Sequence, residues 1–203
     1  MAQIVSGPGA AVPETFPTWA GPREGDPRHP RGAWVSDPRS DRLEPPDGFD
    51  EIVRFYGDPR LFVREDGTLD PAWERDHLQL VEIPFALTLA WPPYTPVRKL
   101  RVHIKLAGPV WRVFHDILDA GLHTEVTEYG GAFNFRAQRG SAGRKLSLHA
   151  FGAAVDLNPR TNRLGTTGDM HPGVVQLFEA HGFEWGGRYR RPDPMHFSFS
   201  RSY

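Results

Sequence analysis

The chain has 203 residues, 39% apolar and 24% charged, enough to bury the core of one domain. Lys and Arg total 24 against 25 acids, and a net charge of −1 gives no general reason to bind nucleic acid or an anionic membrane. The absence of cysteine excludes disulfides, a thiolate nucleophile and any Cys-ligated metal, so a metal here must sit on His, Asp or Glu.

Met1 to Ala20 has no Lys or Arg and no unbroken apolar run, so neither a secretory signal nor a membrane anchor is expected. Nine of the 20 prolines fall in the first 50 residues, where no apolar period persists. Residues 1–44 are therefore expected to form an extended arm, either a free tether or a strap held by Phe16, Trp19 and Trp34, before a single domain over 45–203. Phe49 to Tyr56 reads as a short helix stopped before Gly57-Asp58-Pro59. Leu78 to Trp91 and Val97 to Ile104 read as strands, the second with Leu100, Val102 and Ile104 inward and Lys99, Arg101 and His103 on its polar face. Ala107 to Ala120 repeats Val110, Val113, Phe114, Ile117 and Leu118 at helical spacing and ends at Gly121.

Beyond it, Thr124 to Tyr129 and Ala132 to Arg136 flank Gly130-Gly131 and read as a strand pair joined there. Ala153 to Leu157 is a short apolar strand interrupted by Asp156. Pro172 to His181 is a helix with Pro in its first turn and Gly182 as its stop, and Met195 to Phe199 is the last strand. With no strand-helix alternation and no Gly-rich phosphate loop, the expected class is α+β, one domain with a mostly antiparallel sheet flanked by helices.

Of nine histidines, seven need no explanation beyond core or surface. His149 and His196 have acidic company: Asp156 follows His149 by seven residues, with Gly152 between, and Asp193 precedes His196 by three. A carboxylate beside Ala153-Ala154-Val155 is costly to bury without a partner, and a cation is the simplest one. His149, Asp156 and His196 would supply two nitrogens and one oxygen, a set suited to tetrahedral zinc with one position open to water. Asp193 would then take a proton from that water, whose pKa zinc lowers to about 7. Each residue also has an ordinary alternative: an Asp156–arginine pair, a loop-capping His149, an Asp-Pro turn at Asp193. H-E-x-x-H is absent.

The run Ser147 to Asp156, S-x-H-x-x-G-x-A-x-D, followed by acid-x-x-His, resembles the zinc D-Ala-D-Ala carboxypeptidase family. That family includes vancomycin-resistance dipeptidases and carboxypeptidases and the L-Ala-D-Glu endopeptidases of bacteriophage lysins, and it has the hedgehog/DD-peptidase fold. Tyr129 to Arg136, Arg139-Gly140, Asn158, Asn162 and Gly182 to Gly187 extend the likeness, which covers roughly Phe49 to Phe199 and is strongest from Tyr129. The resemblance implies one Zn2+ per chain on His149, Asp156 and His196, with a catalytic core over about 98–203. It implies Asp193 as general base and acid, Arg136 on the scissile carbonyl, and Ser147 as a hydrogen-bond donor at the substrate edge. A structural salt bridge for Arg136 and a turn-capping hydroxyl for Ser147 are the competing readings.

The activity implied is hydrolysis of an amide in peptidoglycan stem peptides, of L-Ala-D-Glu endopeptidase or D-Ala-D-Ala carboxypeptidase type, by a monomer with no nucleic-acid or membrane partner. Two departures bear on it. Asp193 stands where the vancomycin-resistance dipeptidases have Glu, which leans toward the endopeptidase branch, and Tyr189 stands where many relatives carry Trp, which alters pocket shape. Trp185 reads as a packing residue. A wall substrate without a signal peptide implies release by a holin or an injection apparatus, or a cytoplasmic recycling role. The alternative function is a non-catalytic zinc-containing binding or structural module of the same fold, whose mark would be a missing base.

Overall fold

A computed structural model describes residues 18–19, 43–138 and 145–202 of the chain. Most of the expected arm, with Phe16 and Trp34, lies outside the described residues, as do Arg139 and Gly140. The elements in order are β1 (Thr18–Trp19), α1 (Gly48–Tyr56), α2 (Pro71–His77), β2 (Leu78–Leu89), β3 (Pro96–His103), α3 (Ala107–Asp119), β4 (Glu128–Gly131), β5 (Ala154–Leu157), α4 (Pro172–Ala180), β6 (Glu184–Trp185) and β7 (His196–Ser198). Among the described residues no helix is long and apolar enough to cross a membrane.

The architecture is α+β, but the sheet is mixed where a mostly antiparallel one was expected. Its order is β1-β2-β4-β5-β7-β6, with β3 also paired to β2. The pairs β2–β3, β4–β5, β5–β7 and β6–β7 are antiparallel, whereas β1 and β4 both run parallel to β2. Parallel neighbours need a long crossover, and here β3 and α3 intervene before the chain returns as β4. The β2–β3 ladder loses register between Glu82 and Leu87, a stretch that contains Pro84, which has no N–H to give.

The amphipathic stripe of α3 does what its spacing predicts: Val110, Val113, Phe114 and Ile117 are buried, with α3 packed on β2 and α4. Phe178 of α4 stacks on Phe197 of β7 at 4.1 Å and meets Phe114 edge-on at 6.1 Å, so one aromatic column ties both helices to the strand that carries His196. Each such ring contributes roughly 1.5–3 kcal/mol by leaving water.

Two expectations for the second strand are reversed. The chain leaves β3 at His103 for a 3-10 turn over Ile104–Leu106, so Ile104 is exposed and His103 is buried. His103 Nε2 donates to the Tyr56 carbonyl at 3.0 Å while its Nδ1 accepts from the Lys105 amide at 3.2 Å. Gly130-Gly131 is likewise not a hairpin turn. Both glycines lie within β4, which pairs with β2 and β5 rather than with residues 132–136. A Cβ on Gly130 would sit 2.9 Å from the Asp156 Cβ, so glycine lets β4 close against the strand that carries the central acid.

Candidate metal centre

The centre is assembled by two adjacent strands and one turn. In the β5–β7 ladder Asp156 and His196 are register partners. His149 comes from the 3-10 turn Leu148–Phe151, whose first amides are capped by Ser147: its Oγ accepts from the His149 N–H at 3.3 Å. That turn brings His149 Nε2 to 3.1 Å from Asp156 Oδ1, and β7 brings His196 Nδ1 to 2.9 Å from the same oxygen. One ligand atom from each of the three residues lies within 4.8 Å of the others.

The donor chemistry fits a cation. His149 Nδ1 lies 2.8 Å from the Ala132 carbonyl, which can only accept, so that nitrogen carries the ring proton. Nε2 is then the nitrogen that faces the Asp156 carboxylate: in the imidazolium it donates there, whereas in the neutral ring its bare lone pair would meet an oxygen that can only accept. A positive ion shared with His196 resolves that opposition, and the Ala132 contact is the kind of outer hydrogen bond that orients a ligating imidazole. Burial disfavours the Asp156 charge, but the attraction of His149, with hydrogen bonds from His149 and His196, outweighs it and holds the carboxyl well below the usual carboxylate range. His149 is buried, and Asp156 and His196 open only partly to solvent.

These groups meet a cleft of about 200 Å³ whose wall includes Arg136, Ser147, Asp156, Asp193 and His196. Every expected site residue is thus in the cleft or, for His149, directly behind Asp156. The Asp193 loop is held at both ends: its N–H donates to the Gly186 carbonyl at 2.8 Å and its carbonyl accepts from the His196 N–H at 2.9 Å. A Cβ on Gly186 would lie 2.6 Å from the Asp193 carbonyl oxygen, so this glycine is required for the loop to close. Trp185 Nε1 donates to the Pro194 carbonyl at 2.8 Å, a packing and anchoring role as its sequence context implied.

Ser147 caps the turn through its oxygen, and the residue also lines the cleft. Tyr189, expected to shape the pocket, lines it with its hydroxyl 3.2 Å from Ser198 Oγ, and burial pushes its phenol up to about 12. Asn158 and Asn162 staple the neighbouring loop. Asn158, at φ +48, accepts the Thr127 and Glu128 amides at 2.9 Å each and donates to the Glu125 carbonyl. The fully buried Asn162 accepts the Asp169 and Met170 amides at 3.0 and 2.9 Å. Sequence reasoning passed over Gln138 and Arg191, which complete the polar wall. The only available signal for Arg191 was its place two residues before Asp193.

The remaining histidines lie elsewhere. His181 pairs with Asp116 at 2.6 Å between α4 and α3, and His77 and His115 stack on Trp73 and Trp111.

A family model described as D-alanyl-D-alanine carboxypeptidase matches residues 140–199. The match is shorter than the resemblance read from the sequence and leaves Arg136 outside, but it spans Ser147, all three candidate ligands and Asp193. No curated protein and no solved structure gives a significant match. Residues 140–199 thus resemble the D-alanyl-D-alanine carboxypeptidase family, a likeness that supports a peptidase, and the His149-Asp156-His196 group could hold a metal ion.

Proposed function

We propose that the chain hydrolyses an amide bond in peptidoglycan stem peptides, with one zinc ion held by His149, Asp156 and His196. The observation that carries this reading is the convergence of those three groups, two of which, Asp156 and His196, line a cleft that Asp193 and Arg136 also line. Bound zinc supplies Lewis acidity and makes water a nucleophile near neutral pH.

The chain's own residues do the rest. Arg136, permanently charged and planar, holds the scissile carbonyl oxygen as negative charge develops on it. Asp193 removes a proton from the attacking water and returns it to the leaving amine as the C–N bond breaks, giving a carboxylate and a free amine. Ser147 accepts from the His149 amide, which leaves its O–H to donate to the peptide. Ala132 holds His149 through Nδ1 so that Nε2 stays aimed at the centre. Asp rather than Glu at position 193 favours cleavage within the stem peptide over removal of its terminal residue. The presence of that base in the cleft favours hydrolysis over an inert zinc-containing module.

Mass spectrometry of muropeptides after digestion tests the proposal. New amino termini at one defined stem-peptide bond support it, and an unchanged muropeptide set from zinc-loaded protein contradicts it.

A further inference from the structure

A second arginine, which the reaction above leaves unused, lines the cleft. Arg191 lines the same wall as Arg136 and Asp193, is exposed, and among the described residues has no carboxylate partner. Its placement is stiff. Arg191-Pro192-Asp193-Pro194 alternates with two prolines of fixed φ, the Gly165 amide donates to the Pro192 carbonyl at 2.6 Å, and the Asp193 amide is tied to Gly186 at 2.8 Å. Arg191 and Asp193 both line the cleft.

The charges of the wall point to the substrate. Arg136 and Arg191 stand against Asp156 and Asp193, and a bound dication leaves the cleft net positive. A peptide carboxylate reaching Arg191 would form a forked, charge-assisted pair that neither a neutral amide nor an ammonium group can make.

We propose that Arg191 is a specificity-determining residue that receives a free carboxylate of the peptide substrate near the scissile amide. The inference rests on the hydrolytic reading above. Two sources offer this chemistry: the terminal carboxylate of the stem peptide and the α-carboxylate of a γ-linked glutamyl residue within it.

The experiment uses the zinc-loaded full chain and four synthetic stem pentapeptides in which each of those carboxylates is either free or amidated. The wild type is expected to prefer one free acid over its amide by about 10–100-fold in kcat/KM, the range for a hydrogen-bonded charge pair. Whichever carboxylate carries the preference identifies the source. Arg191→Gln is expected to remove the preference, mainly through KM, and Arg191→Lys to restore part of it. Equal cleavage of acids and amides by the wild type, or a preference that persists in Arg191→Gln, overturns the role of Arg191 while leaving the peptidase reading intact. Failure to cleave any of the four peptides with zinc bound overturns both.

Discussion

Asp156 and His196 are opposite one another in the β5–β7 ladder, and the same carboxylate oxygen that lies 2.9 Å from His196 Nδ1 lies 3.1 Å from His149 Nε2. Strand register thus sets two candidate ligands and a capped turn sets the third. Groups far apart in the chain are placed by backbone hydrogen bonds rather than by mobile side chains.

Asp193→Ala separates metal binding from chemistry. It removes the proposed proton carrier without touching a ligand, so zinc content should remain at the wild-type level while peptide hydrolysis falls by about 10²–10⁴-fold. Elemental analysis and a free-amine assay on the same preparation check it. Near-normal turnover would remove Asp193 from the mechanism.

Gly130→Ala should damage the centre from outside it. The added methyl would lie 2.9 Å from the Asp156 Cβ and 3.2 Å from its carbonyl oxygen, so β4 and β5 must separate. A loss of about 1–3 kcal/mol in denaturant unfolding is expected, with weaker metal retention against a chelator. Unchanged values for both would show that the strands have room to spare.

The helices α3 and α4 were legible in the sequence because their apolar residues repeat at helical spacing, α1 because Gly57-Asp58-Pro59 marks its stop, and β2 because its run is rich in Val, Ile, Phe and Leu. The helix α2 was not: its seven residues include one buried side chain, Trp73, and only the Asp70-Pro71 cap marks its start. Sheet parity was also hidden, since whether β4 runs with or against β2 depends on the path of β3 and α3 and not on the composition of any strand. The expected pair around Gly130-Gly131 failed because glycine serves close approach there instead of a turn. In the site, the three candidate ligands and Asp193 were readable from local motifs, while Gln138 and Arg191 become neighbours only once separate loops fold onto one cleft.

The buried His103 predicts an acid-sensitive fold. Burial pulls its pKa down to about 4, and its Nδ1 is occupied by the Lys105 amide. Between about pH 6.5 and 4 the unfolded chain binds a proton that the folded chain refuses. The stability this residue supplies is therefore intact above pH 6.5 and lost as pH falls toward 4, by up to about 3 kcal/mol at roughly 1.4 kcal/mol per unit. Urea unfolding across that range should show the slope, and His103→Gln should flatten it; an equal slope in the variant would place the sensitivity elsewhere.

Asn162→Ala should loosen the loop after β5 without changing the ligands. Its side chain satisfies the Asp169 and Met170 amides and donates to the Asp169 carboxylate at 2.8 Å from a fully buried position. Leaving those groups unpaired should cost about 2–4 kcal/mol in unfolding measurements, with faster hydrogen exchange at Asp169 and Met170. Wild-type protection at both amides would contradict the stapling role.

Zinc stoichiometry of the purified chain and of three single variants tests the centre most directly. One equivalent of zinc in the wild type after exhaustive dialysis is predicted, with loss of that equivalent in each of His149→Ala, Asp156→Ala and His196→Ala. A wild type that retains no zinc, or any one of those variants that retains a full equivalent at wild-type affinity, would contradict the account.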